Sequence, residues 1–237
     1  MADLPILFSA PMVRALMREI EAPGTGKTQT RRVMNPQPHE RAKGCYHRPD
    51  GSWVWVDAHR ENNGAGYYGT CLDDRHFFPR YATGDRLYVR EHWRAEYRFN
   101  DRAPRDIPPG EAVQYIADDP LSPWDSRFRQ GMHMPRWASR ITLLVTDVRV
   151  ARLQDCSEAD ARAEGVRADA SITDAHNHWV DLGSGDLITG WDAREVYASL
   201  WNHINGPGAW AANPWVAAYT FRPILGNIDQ IGAAQHG

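Results

Sequence analysis

The run Ile141-Thr142-Leu143-Leu144-Val145-Thr146-Asp147-Val148-Arg149-Val150 is the strongest strand signal in the chain. It is dense in β-branched and large apolar side chains, which suit a pleated surface better than a helix. Fully extended, ten such residues reach about 33 Å. A strand of that length needs neighbours along its edges and a layer over its apolar face. Shorter β-capable segments supply the neighbours: Ile6-Leu7-Phe8, Thr28 to Met34, Leu87-Tyr88-Val89 after the Gly84-Asp85 turn, and Pro214 to Phe221. Helices supply the layer. Pro11 suits a first helical turn, with Met12, Leu16, Met17 and Ile20 on one face and Pro23-Gly24-Thr25-Gly26 as the stop. Ser157 is an N-cap for the acidic stretch that ends at Glu164-Gly165. A third helix runs from about Asp192 to Asn205 and ends at Gly206-Pro207-Gly208. The mixture predicts an α+β fold.

Two stretches interrupt this pattern. His39 to Tyr81 is rich in Gly, Asn, Asp, His and aromatics, with a hairpin expected around Asp50-Gly51 leading into Trp53-Val54-Trp55-Val56. Asn100 to Arg136 is loop-like and carries Pro104, Pro108, Pro109, Pro120, Pro123 and Pro135. Both read as insertions on a compact core, because loops of such length are functional or disordered more often than they are structural. The tail after Pro223 reads as loosely ordered. At 237 residues the chain fits one large domain or two small ones. A net charge of −3 gives no global drive toward a polyanion, so nucleic acid would need a local arginine face. Cys45, Cys71 and Cys156 are an odd, unpaired set and imply no disulfide framework. Neither a signal peptide nor a membrane span is evident, which makes a reducing cytoplasm the expected location.

Chemistry concentrates in Gly26-Lys27-Thr28-Gln29-Thr30-Arg31-Arg32. Of 27 basic residues only Lys27 and Lys43 are lysines. An arginine cannot give up its proton, whereas a desolvated lysine can, and then serves as a base. Pro23-Gly24-Thr25-Gly26-Lys27-Thr28 resembles a phosphate-binding loop, but the glycine that pattern needs six residues before the lysine is Glu21. A helix-like segment also precedes it, where a strand is required. His176-Asn177-His178 and the pair Cys45/His47 are metal-capable types without a zinc spacing, so no metal is expected. No Gly-x-Ser-x-Gly elbow occurs. A lysine–threonine pair is left as the best chemical candidate: Thr30 is inert at neutral pH unless a base takes its proton, and Lys27 lies three residues away. In a strand an offset of three points to opposite faces, so Lys27 must sit on the turn, while Thr30 and Arg32 share a face. Glu164 could complete the set. The bland alternatives are a solvated Glu164 at a helix end and an ordinary β-branched Thr30.

The order of these pieces resembles the ASCH domain of the PUA-like superfamily. The matching pieces are the N-terminal helix before Gly-Lys-x-x-Thr-x-Arg, Gly84-Asp85-Arg86-Leu87-Tyr88-Val89-Arg90-Glu91, the long strand followed by Ser-Glu-Ala-Asp-Ala-Arg-Ala-Glu-Gly, Ile204-Asn205-Gly206 and Asn213-Pro214-Trp215-Val216. They look like the larger ASCH proteins of phages and prophages. The resemblance implies a small mixed β-barrel flanked by helices. It would be a single domain with its core at about 4–36, 82–95, 138–166 and 190–223, insertions at about 37–81 and 96–137, and a loose tail at 224–237. It also implies an amidohydrolase that removes the acyl group from N4-acylated cytosine nucleosides, with Lys27, Thr30 and Glu164 catalytic. Phe8, Ser9, Arg31, Arg32, Glu91 and Trp93 would bind substrate, and no cofactor is expected. The partner would be a modified cytidine nucleoside or nucleotide. The alternative is an RNA-binding module or ASCH-type ribonuclease, with Arg31, Arg32, Arg86, Arg90 and Arg94 as a basic face and Trp53, Trp55 or Trp93 stacking a base.

Overall fold

The computed structural model describes residues 1–57, 76–118, 126–168, 177–183 and 185–234. Strand β1 (Asp3–Leu7) leads into helix α1 (Ala10–Glu21), which buries Met12, Val13, Ala15 and Leu16. Strand β2 (Gln29–Val33) follows the glycine turn. Strands β3 (Gly44–His47) and β4 (Trp53–Val56) form the hairpin expected around Asp50-Gly51. Next come β5 (Arg86–Arg90) and a small antiparallel pair, β6 (Trp93–Ala95) with β7 (Val113–Tyr115). Strand β8 (Ile141–Arg152) is the long strand of the sequence, and α2 (Glu158–Ala163) follows with Ser157 as its cap. A three-stranded sheet contains β9 (Arg167–Ala168), β10 (His178–Asp181) and β11 (Leu187–Gly190). Helix α3 (Ala193–Asn205), capped by Asp192, precedes β12 (Trp215–Leu225) and α4 (Ile228–Ala234).

The principal sheet has the order β1-β5-β8-β12-β2. As its length required, β8 lies in the centre, paired to β5 on one edge and along its whole length to β12 on the other. Strands β1 and β5 are parallel, and the remaining pairs are antiparallel. Helix α1 packs against β12, α3 packs against α2, β10 and β11, and both share one core with the principal sheet. Leu16, Leu143, Val145, Val196, Val216 and Tyr219 belong to one buried cluster. A second cluster around Trp93, Phe99, Ile107 and Met134 lies beyond β5.

Two expectations need correction. The closed barrel is not formed: β1 and β2 are the edges of an open sheet, and no ladder joins them among the described residues. Each edge strand is only five residues long. What crosses the opening is a side chain: Arg32 Nη2 donates to the Leu7 carbonyl at 3.0 Å. Two cavities take up the space that a closing ladder would fill, and both are lined by Leu7, Arg32 and Val33. The described part of the stretch after Pro223, through Ala234, is also not loose. Pro223 pairs with Leu143 inside β12, and Ile228 of α4 is fully buried. Pro223 has no N–H, but only one edge of a strand residue needs one, so a proline at a suitable register need not end the strand.

Candidate active site

Lys27 reaches the interior because two glycines let three elements come together. At Gly26 an added Cβ would lie 2.2 Å from the Ala15 carbonyl oxygen and 2.3 Å from the Glu19 nitrogen, so no other residue fits against α1 there. Glu19 closes the turn by accepting from the Gly24 and Gly26 backbone N–H groups. The next two N–H groups then tie the turn to both helices, Lys27 N to the Ala15 carbonyl and Thr28 N to the Ala163 carbonyl, each at 2.9 Å. Gly165, at φ +107°, stops α2 with its Cα facing Ala15 and Lys27. The end of α2 is thereby held against the turn, and Glu164 meets Lys27.

The result is a buried ionic cluster. Lys27 is 2% and Glu164 4% exposed. Lys27 Nζ donates to Glu164 Oε2 at 2.7 Å and to the Glu164 carbonyl at 2.8 Å. Arg31 Nη1 donates to Glu164 Oε1 at 3.1 Å and to Gln29 Oε1 at 2.6 Å, and Arg31 Nη2 pairs with Asp160 at 3.0 Å. Burial disfavours the charged form of Lys27 and lowers its pKa from 10.5; Glu164 opposes this, while Arg32 and Arg31 add to it. Burial pushes Asp160 up, but hydrogen bonds from Arg149 and the Ser157 N–H, with Arg31 nearby, bring it down to about 2. Burial and the Glu164 carboxylate hold the Tyr197 hydroxyl well above its ordinary 10.

Lys27, Thr30, Arg31, Arg32 and Glu164 line one cavity of about 470 Å³, together with Phe8 and Ser9. Thr30 lies opposite Tyr219 in the β2–β12 ladder, and Arg32 shares its face, as the strand offset required. Arg32 Nη1 donates to Thr30 Oγ1 at 2.8 Å. The Phe8 ring stands between two cations, 5.8 Å from Lys27 Nζ and 5.3 Å from Arg32 Cζ. Opposite them α3 contributes an apolar wall: Tyr197, Leu200, Trp201 and Ile204. Sequence reasoning missed this wall. The helix itself was readable from about Asp192 to Asn205, but nothing in the sequence showed that one of its faces borders a cavity.

Two predicted substrate contacts lie elsewhere. Glu91, just past β5, is 1% exposed and is clasped by Arg140 through Nε at 2.9 Å and Nη2 at 3.1 Å. Trp93 is fully enclosed in the second cluster. Neither lines the cavity, because the chain leaves the sheet after Arg90 and turns into that cluster. Trp53 and Trp55 are also engaged, Trp53 stacked on His47 at 4.5 Å and Trp55 on Phe77 at 4.4 Å. Of the arginines named for a basic face, Arg31 is paired as above and Arg86 with Asp3 at 2.8 Å. Cys71 and His176 lie outside the described residues. Among the described residues no three His, Cys, Asp or Glu side chains converge as a metal would need, and no helix is long and apolar enough to cross a membrane. The lysine of the phosphate-loop-like segment is followed by β2, not by the helix such a loop requires.

No family model, no curated protein and no solved structure matches the chain.

Proposed function

We propose that the chain hydrolyses the N4-acyl amide of acylated cytosine nucleosides, of the N4-acetylcytidine type, with Lys27, Thr30 and Glu164 as its catalytic residues. One observation carries this: an enclosed lysine amine rests on Glu164 in a cavity that the Thr30 side chain also lines. In this reading the open sheet and its helices are an ASCH-type, PUA-like framework.

A neutral Lys27 would place its two N–H bonds on the Glu164 carbonyl and carboxylate, the two acceptors it meets. Its lone pair would then be left for the remaining direction. Thr30 Oγ1 already accepts from Arg32, so its own proton is the one to leave. Transfer of that proton to Lys27 accompanies attack of Oγ1 on the acyl carbonyl, with Arg32 beside the developing oxyanion. The C–N bond then breaks, Lys27 returns the proton to the cytosine N4, and the acyl group remains on Thr30 as an ester. Water, deprotonated by Lys27 or Glu164, releases it as the free acid. Glu164 positions the amine throughout. The apolar α3 wall suits the acyl chain and one face of the base, and helps to exclude water.

A panel of N4-acylcytidines followed by ultraviolet absorbance tests the proposal. Turnover of N4-acetylcytidine is expected, with an acyl adduct on Thr30 in quenched samples. Absence of turnover on every member would remove it.

A further inference from the structure

We propose that the second cavity is an anion subsite, which takes the phosphate of a nucleotide whose base occupies the Lys27 cavity. The identity of the base rests on the amidohydrolase reading; the anion does not. The cavity measures about 550 Å³ and lies next to the first, with Leu7, Arg32 and Val33 lining both. Three guanidinium groups line it, Arg32, Arg80 and Arg90, and no carboxylate does.

What distinguishes these three arginines is that they gather on one concave wall that holds no carboxylate. Several arginines elsewhere pair with carboxylates, among them Arg14 with Asp181, Arg31 with Glu164, Arg86 with Asp3, Arg136 with Asp229 and Arg140 with Glu91, while others, such as Arg129 and Arg152, donate to backbone carbonyls. Among the described residues Arg32, Arg80 and Arg90 form no ion pair. Arg32 donates to the Thr30 hydroxyl and to the carbonyls of Arg31 and Leu7. Arg90 donates to the Met132 carbonyl and the Tyr88 hydroxyl, and its Nε is buried without a partner. Arg80 lies against the Tyr81 ring, 5.6 Å from its centroid. Neutral acceptors and rings hold these groups in place without cancelling their charge. A concave wall of three uncompensated guanidinium groups concentrates positive potential, in a protein whose net charge is −3. Planar forked donors match phosphate oxygens in particular. Phe78, 69% exposed at the rim, offers a flat face for a sugar or a neighbouring base.

The test is calorimetric titration of the full chain with cytidine, cytidine 5′- and 3′-monophosphates, a cytidine dinucleotide and inorganic phosphate, repeated with Arg80→Ala and Arg90→Gln. At least one phosphorylated ligand is expected to bind at least about tenfold more tightly than cytidine, as a single charge-assisted contact supplies. Inorganic phosphate should compete with it. Each variant should remove the difference and leave cytidine binding unchanged. The tightest monophosphate marks a terminal phosphate as the ligand, and a still tighter dinucleotide marks an internucleotide one. Equal binding of cytidine and all its phosphorylated forms, or a preference that survives in both variants, would overturn the subsite. An intact phosphate preference in a protein that does not hydrolyse N4-acetylcytidine would leave the subsite standing and remove the amidohydrolase reading alone.

Discussion

Glu164 and Glu91 are both buried carboxylates bound by arginine, yet their surroundings differ in the way that separates chemistry from scaffolding. Among the described residues Glu91 pairs with Arg140 alone, whose guanidinium also clasps Asp118 at 2.6 Å, and it lines neither of the two cavities. Every cation in that cluster is one that keeps its proton. Glu164 meets Arg31 on one oxygen and Lys27 on the other, and all three line open space. Burying a carboxylate beside an arginine is a structural device of uncertain net benefit. Adding an amine that can lose its charge, and leaving a cavity beside it, makes a proton acceptor.

The sharpest way to break this comparison is Lys27→Arg. It keeps a cation on Glu164 but removes the base, so kcat/KM on N4-acetylcytidine should fall by about a thousandfold, while circular dichroism and the unfolding midpoint stay near wild type. Glu91→Ala should do the reverse. It leaves Arg140 with Asp118 as its remaining carboxylate, and Asp118 is half exposed. The expected loss is about 3 kcal/mol of stability by urea unfolding, with kcat/KM of the folded protein unchanged.

The two clusters should also answer pH with their own signs. A neutral Lys27 is required for attack, so the rate should rise with pH through the lowered pKa of Lys27, below 10.5. In that interval the unfolded chain binds more protons than the folded one, so the stability contribution of Lys27 also rises with pH. Glu91 is raised from 4.5, first by burial, against the pull of Arg140. The folded state therefore holds its proton more tightly, and the Glu91 contribution to stability falls as pH rises from 4.5 through the raised value. Comparing urea midpoints of wild type and Glu91→Gln across that range should isolate the slope. The smallest expected effect is that of Trp93→Phe. It should cost about 1 kcal/mol in the second cluster and leave the KM for N4-acetylcytidine unchanged. A raised KM would return Trp93 to the site.

The legibility of the sequence follows the same division. Local signals gave the elements: the β-branched run of β8, the Ser157 cap and Gly165 stop of α2, and the Gly26 turn were all readable from neighbours in the chain. The meeting of Lys27 with Glu164 spans 137 positions, and it came from the order of the motifs and not from their spacing. Glu91 ends the motif at 84–91 and Trp93 lies just past it, yet both face a different core, because which way a chain turns after its last sheet residue is decided by packing partners far away. The open edge between β1 and β2 was equally hidden. Whether two short strands pair or stay apart depends on what fills the gap, here the Arg32 guanidinium and two cavities.

The account depends on Lys27 losing its proton while enclosed, and that can be observed without any substrate. The chain has only two lysines, Lys27 and Lys43, so protein labelled with carbon-13 at the lysine Cε carries two signals, and Lys43→Arg assigns them. Titration followed by NMR should give Lys27 a midpoint below 10.5, shifting further down in Glu164→Gln, where the opposing carboxylate charge is gone. A Lys27 signal that stays protonated up to or beyond 10.5 would contradict the account, because an amine held charged by Glu164 cannot accept the proton of Thr30.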